Sequence, residues 1–268
     1  EDARPSHRPT HCQTSPLPNK NKKVDRMKTT HSLLIALTTL ALSINAHADS
    51  ANINYRHQYT DDDRQHADRV KLGYRMDSGL GFEAEIKYRT AGDRKDVAYD
   101  NIINNGHELT VSYNYKLSPQ STLTPAFQMD SSKDSTTYKF GLKYSYKIDD
   151  QWYVATRYRY DAKRLDRDQI NRNMDDRAKD NQNTNRFEGW LGYTPTGSKL
   201  AYEYQFIWFQ TDYIRFDNKK SDYEQNLIVK YKLTKQWQPF MEIGDIKVNS
   251  TTDDRQARWR LGIQYNFM

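Results

Sequence analysis

The stretch RQARWRLGIQYNFM, Arg255–Met268, decides the fold because it contains two different rows of side chains. Every second residue from Ala257 to Phe267 is apolar, whereas the residues between them are polar and include Arg258 and Arg260. Successive side chains of a β-strand point to opposite faces of the sheet. The stretch therefore predicts a strand with one apolar and one polar face, and it leaves open whether the apolar face meets a protein core or a membrane.

The composition narrows that choice. The chain of 268 residues has a mean hydropathy of −1.04 and 28% charged residues, yet it contains 20 Tyr, 9 Phe and 5 Trp. Disordered chains of such low hydropathy are poor in aromatic residues. A fold in which every second residue of each strand is wet would bury large aromatic side chains and still keep the average polar.

The first part of the chain is expected to be a leader. Residues 1–26 are polar and are interpreted as an upstream segment, and residues 27–48 are predicted to be a secretory signal peptide. Ser32–Ile44 is apolar but shorter than the ~20 residues of a helical membrane span, and Ala46-His47-Ala48 resembles a cleavage site. Residues 49–268 are then one exported domain without a disulfide, because the single cysteine precedes it.

A period of two recurs throughout that domain and predicts twelve strands. Long or highly charged connections alternate with short turns, an asymmetry that is typical of outer-membrane barrels. The alternation slips near Gly244, which predicts a β-bulge there. We therefore expect an all-β fold, a 12-stranded antiparallel transmembrane β-barrel in the outer membrane of a Gram-negative bacterium. The strands are expected at 52–60, 70–76, 80–89, 108–117, 121–129, 136–148, 152–161, 184–194, 199–209, 222–233, 238–249 and 256–267.

If the apolar rows face lipid, the polar rows line a lumen in which bases outnumber acids. Such a lumen favours anions, and the planar guanidinium matches a carboxylate with two hydrogen bonds. The alternative is that the bases pair with inward acids and only make the barrel rigid. The candidate pore-lining residues are Arg75, Lys87, Arg89, Lys143, Arg157, Arg159, Arg186, Arg258 and Arg260. Arg157 and Arg159 are expected to lie on the wall opposite Arg258, Arg260 and Arg75.

Two motifs carry a resemblance to a known family. WYVATRYRYDAKR from Trp152, followed after a long polar loop by NRFEGWLGYT from Asn185, resembles the oligogalacturonate-specific porin family, which includes the sialic-acid channel of enteric bacteria. The resemblance implies a monomeric twelve-stranded channel for acidic sugars with two basic tracks. It points first to five of the candidates, namely Arg157, Arg159, Arg186, Arg258 and Arg260. Barrels of this kind generally end in an aromatic residue, whereas here Met268 follows Phe267.

The leading hypothesis is passive, selective uptake of oligogalacturonates, the acidic fragments of pectin. A channel for sialic acid or another anionic sugar is the alternative. The expected partners are the acidic oligosaccharide, outer-membrane lipid and the barrel-assembly machinery that reads the C-terminal strand. We expect no cofactor and no metal. We also expect no nucleic-acid partner, since the basic residues are spread along strands and are not gathered on one surface.

Two other classes remain open, an outer-membrane enzyme and a structural or adhesive barrel. His57, His66 and His107 are the histidines of the domain, and no Ser-His-acid set is expected on one face. The acidic segments 61–63 and 161–180 lack the glycine of a calcium loop. The long loop 162–182 is expected to fold over the mouth and recruit anions, so that its deletion would change the entry rate more than the open conductance.

Overall fold

The computed structural model describes residues 48–166 and 181–267, and the described chain is almost entirely β-structure. Residues 1–47, which hold the upstream segment and all of the predicted signal peptide except its last residue, Ala48, lie outside these ranges, as do residues 167–180 and Met268. No helix within the ranges is long and apolar enough to span a membrane. The strands are β1 Ala48–Thr60, β2 Gln65–Met76, β3 Leu80–Thr90, β4 Ile102–Tyr113, β5 Tyr115–Lys116, β6 Ser121–Ser131, β7 Ser135–Lys147, β8 Trp152–Leu165, β9 Asn181–Tyr193, β10 Leu200–Thr211, β11 Ser221–Tyr231, β12 Trp237–Lys247 and β13 Arg255–Phe267.

The strands close into a barrel. Each strand pairs antiparallel with its neighbours in the chain, and β1 pairs with β13 along Ala51↔Phe267 to Thr60↔Arg258. β4 and β5 together form one strand of the barrel, interrupted at Asn114, because both pair with β6 in one continuous register. The barrel therefore has twelve strands and no free edge, and the predicted fold is confirmed.

The two faces of the wall are inverted relative to a soluble protein. Outward side chains are large and apolar, and Leu261 is 60% exposed on the isolated chain. Inward side chains such as Glu188, Asn226 and Glu242 are buried although they are polar or charged. The apolar row of the closing strand therefore faces lipid, and Arg258 and Arg260 face the lumen.

Two of the connections that were predicted to be long or highly charged are charged but short. At one end, the long-loop end, the turns 61–64 and 132–134 are as short as the turns of the opposite, short-turn end. The first turn is short because β2 begins at Gln65, five residues before the predicted start at Val70. Polar residues can extend the ladder there because side chains beyond the bilayer need not alternate.

The predicted bulge at Gly244 is wrong. β12 pairs with β13 in unbroken register from Trp237↔Tyr265 to Lys247↔Arg255. Ile246 caused the apparent slip, because it is apolar but shares the inward parity of Gly244 near the rim. A true irregularity lies between Lys87 and Tyr88, opposite Gly106, which has φ +106°.

β11 and β12 separate toward the long-loop end. Their backbones pair only from Gln225↔Asp245 to Lys230↔Phe240. The guanidinium of Arg255 fills the seam, since its Nη2 donates to the carbonyls of Tyr223 at 2.8 Å and Asp245 at 3.1 Å. Its Nε donates to the Asp245 carboxylate at 2.7 Å. A cavity of about 440 Å³ lies along this seam, so the wall here is held by a side chain and not by the ladder.

Candidate functional site

The lumen brings the candidate cations onto two facing walls. β8 carries Arg157 and Arg159, and β13, on the opposite side of the ring, carries Arg258 and Arg260. Arg186 lies on β9, the neighbour of β8, and three strands separate it from β13. The strand order therefore places the two basic rows on opposite sides of the ring.

Glu188 organises the first wall. Its side chain is fully buried and accepts from Arg157 at 2.7 and 2.8 Å, from Nη2 of Arg186 at 3.1 Å and from Gln205 at 2.9 Å. This follows from the register, because Arg157 lies directly opposite Glu188 and Arg186 precedes it by two residues on the same face. The carboxylate fixes both guanidinium groups and cancels one of their two charges.

Glu242 has the same role on the second wall. Nη1 of Arg260 approaches it at 2.5 Å, and Nη2 of Arg258 lies 3.6 Å from it. Arg258 also donates to Asn226 at 2.7 Å and lies 3.5 Å from Glu224. The two arginines are held by more than one partner each, so their side chains are oriented before any solute arrives.

Three further candidates have local partners. Arg159 grips Asp161 of its own strand with two hydrogen bonds of 2.7 and 2.8 Å. Lys87 pairs with Asp130 at 2.5 Å. Arg75 lies at the short-turn end, where it donates to the carbonyl of Gly79 at 2.8 Å and to Ser112, so it is not part of the facing rows.

Lys143 and Arg89 differ from the six candidates that pair with acids. Like Arg75, neither pairs with a carboxylate among residues 48–166 and 181–267. Arg89 lies near the long-loop end of β3, and Lys143 lies deeper in β7 with its ammonium 4.5 Å from the centre of the Trp190 ring. The alternative that bases pair with acids thus describes six of the nine candidates but not Arg75, Arg89 and Lys143.

Several lumenal groups were not predicted from the sequence. Arg69 lies 3.3 Å from Glu85, and Arg215 reaches from the loop 212–220 to Asp222 at 3.1 Å. Arg69 could have been found, since it shares the parity of Lys71. It was not, because the predicted strand began at Val70, one residue after Arg69. Arg215 could not, because no periodicity places a loop residue in a lumen.

Aromatic side chains also face the lumen and were not predicted. Trp190 shares the parity of Arg186 and Glu188, and Tyr153 hydrogen-bonds to the carboxylate of Glu203. Parity alone would have placed both inside. They were overlooked because large aromatics on a barrel are expected at the lipid interfaces.

Two of the three histidines, His57 and His66, meet outside the lumen. His66 belongs to β2 and not to a loop as expected, and its Nδ1 lies 3.0 Å from Nε2 of His57. Nδ1 of His57 lies 2.9 Å from Asp68, which also accepts from Tyr55 at 2.6 Å. No serine bonds to this group, and the described ranges contain no cluster of three His, Cys, Asp or Glu side chains suited to a metal.

Comparison with known proteins gives a consistent result. A family model described as "Oligogalacturonate-specific porin protein (KdgM)" matches residues 42–267. The oligogalacturonate-specific porin KdgM of Dickeya dadantii is 30% identical over 251 residues, covering 87% of this chain and 99% of that protein. The uncharacterized protein YiiY of Salmonella typhimurium is 31% identical over 224 residues, covering 83% and 92%.

Solved structures agree on the fold. A structure of the KdgM porin in complex with disordered oligogalacturonate superposes with a TM-score of 0.60 at 25% identity, covering 81% of this chain and 99% of that one. The NanC porin superposes with a TM-score of 0.64 at 19% identity, covering 80% and 98%. The two superpositions show that this chain and both porins share a fold.

Proposed function

Since the chain belongs to the oligogalacturonate-specific porin family, we propose that it is an outer-membrane channel through which acidic oligosaccharides, oligogalacturonates first among them, pass down their concentration gradient. The observation that carries the proposal is the pair of facing basic rows in a barrel whose outer face is apolar. A narrow lumen with excess cations lowers the barrier for anions and raises it for cations. Guanidinium groups that are already oriented lose little entropy on binding a carboxylate.

The proposal includes transport without chemistry. The family and the fold are those of a channel, and the described histidine cluster lies on the outer wall, away from the path of a solute. We also propose that the barrel works as a monomer in outer-membrane lipid. Its assembly signal would lie at the end of β13, where Phe267 is exposed and packs edge-on against Tyr265.

Conductance in a planar lipid bilayer tests the proposal. We expect a purified channel to prefer anions in a salt gradient and to be blocked transiently by oligogalacturonate. Neutral maltooligosaccharides of matched length are the control and should block far less. Cation preference, or equal block by the neutral sugar, would refute the assignment.

A sialic-acid channel is the second candidate. It is supported by similarity to the N-acetylneuraminic acid outer membrane channel protein NanC of Escherichia coli, which is 22% identical over 239 residues, against 30% over 251 residues for the Dickeya KdgM sequence. Block by sialic acid and by galacturonate oligomers on the same channel separates the two solutes. Stronger block by sialic acid would reverse their order.

A further inference from the structure

Two cations face each other directly in the lumen. Lys143 of β7 and Arg157 of β8 are register partners on the inward face. Like charges at directly opposite positions destabilise a sheet. Arg157 is compensated by Glu188 at 2.7 Å, whereas Lys143 has no carboxylate partner in the described parts of the chain.

The acids nearest to Lys143 are already occupied. Glu188 accepts from Arg157 and Arg186, and Glu203 accepts from Tyr153 and lies 3.1 Å from the ammonium of Lys230. Lys143 is therefore a half-buried cation whose charge is not cancelled by a bonded neighbour.

Trp190 explains how this cation keeps its place. The indole of Trp190 lies 4.5 Å from Nζ of Lys143 and 5.3 Å from Cζ of Arg157. Trp190 is on β9, and β8 lies between it and Lys143. The β8 residue opposite Trp190 is Ala155, whose small side chain leaves room for the indole to reach across the strand.

An indole and a carboxylate would fix the ammonium with different electrostatic results. The face of an indole attracts a cation through its quadrupole and carries no net charge. A carboxylate in the same place would also hold the ammonium, but it would cancel the charge that a passing anion experiences. Fixing Lys143 with an aromatic ring therefore leaves a full positive charge in the lumen.

We propose that Trp190 is a positioning residue that holds the ammonium of Lys143 in the lumen with its charge uncompensated, so that Lys143 binds the carboxylate of a passing acidic sugar. The inference rests on the proposed function, because it names one contact by which the channel would recognise its solute. Lys143 and Trp190 lie away from the β1–β13 pairing that closes the barrel. Replacing their side chains leaves the backbone hydrogen bonds of the ladders in place.

The test compares four variants with the unaltered channel. Lys143→Met removes the charge, Trp190→Leu removes the π face, and Trp190→Phe restores an aromatic ring. Trp208→Leu is the matched control, since Trp208 is 40% exposed on the outer face of β10. Oligogalacturonate block in a bilayer is measured for each, together with the rate at which a water-soluble acylating reagent modifies Lys143.

We expect Lys143→Met to weaken the block about tenfold, the value of one charge-assisted hydrogen bond. Trp190→Leu should weaken it about threefold, the value of an exposed cation–π contact, and Trp190→Phe should recover most of that loss. Trp190→Leu should also speed acylation of Lys143 relative to Lys230, because the ammonium is no longer held over the ring. Trp208→Leu should change neither measurement.

Unchanged block and unchanged acylation in Trp190→Leu would overturn the positioning role, as would a Trp190→Phe variant no better than the leucine. An unaltered channel that oligogalacturonate does not block would refute the proposed function instead. In that case the acylation rate still decides whether Trp190 holds Lys143.

Discussion

Replacing Arg255 should weaken the wall at the seam between β11 and β12. The side chain is 18% exposed and donates to the backbone carbonyls of Tyr223, which lies beyond the β11–β12 pairs, and of Asp245, which belongs to the last of those pairs. Arg255→Ala leaves both acceptors without that donor, and each unsatisfied buried group costs about 1–3 kcal/mol. The Asp245 carboxylate can rehydrate because it is 40% exposed, and Asp222 keeps its contact with Arg215. Two such carbonyls would cost about 2–6 kcal/mol. We expect a destabilisation of about 3 kcal/mol, in the lower half of that range.

A loss of that size should lower the unfolding temperature by about 6–12 °C for a chain of this length. The assay is the temperature at which the barrel in detergent loses its folded electrophoretic mobility. Arg94→Ala is the matched control, since Arg94 is 73% exposed and its pair with Asp100 at 3.0 Å is worth about 1 kcal/mol or less. Equal shifts for Arg255→Ala and Arg94→Ala would show that the ladder, and not the guanidinium, holds the seam.

Three further predictions concern single positions. Glu188→Gln removes a lumenal negative charge, so the anion-to-cation permeability ratio from reversal potentials should rise, and a fall would contradict the charge assignment. Gly106→Ala should lower the free energy of unfolding in urea by about 1–3 kcal/mol. The reason is that φ is +106° and a Cβ would lie 2.5 Å from the Ser131 carbonyl oxygen. An unchanged urea midpoint would mean that the backbone shifts freely. At the short-turn end, Lys147 holds the pKa of Asp150 below its usual 3.8 through a 2.6 Å hydrogen bond. A group with a lowered folded pKa stabilises above that range and loses the effect as pH falls through it. Asp150→Asn should therefore differ slightly from the unaltered protein in unfolding at pH 7 and converge with it in acid, whereas a difference that grew in acid would contradict the pairing.

The alternation of side chains made the fold predictable. In Arg255–Phe267 a one-residue slip would exchange Leu261 and Arg260 between lipid and lumen, so the membrane enforces the period strictly. The enforcement ends at the rims, and the predictions failed there. β2 began too late and Gly244 was assigned a bulge because polar and apolar residues beyond the bilayer no longer obey the rule.

The site was predictable as a set of positions but not as a set of charges. Parity placed Arg157, Arg186 and Arg258 in the lumen correctly. Which of them keeps an uncompensated charge depends on cross-strand register, and register follows from turn lengths that periodicity does not reveal. The register of β8 and β9 places Glu188 opposite Arg157. The register of β7 and β8 places Lys143 opposite Arg157 and not opposite a carboxylate.

The histidine cluster on the outer wall fastens a loop to the barrel. Nδ1 of His57 and the hydroxyl of Tyr55 meet the same carboxylate oxygen of Asp68. Nε2 of His66 lies 3.1 Å from the carbonyl of Asp96, and the hydroxyl of Tyr55 lies 3.1 Å from that of Tyr99. These contacts tie the β1–β2 hairpin to the loop 91–101, so the loop is anchored on the outer face of the wall and not only by its own two strands.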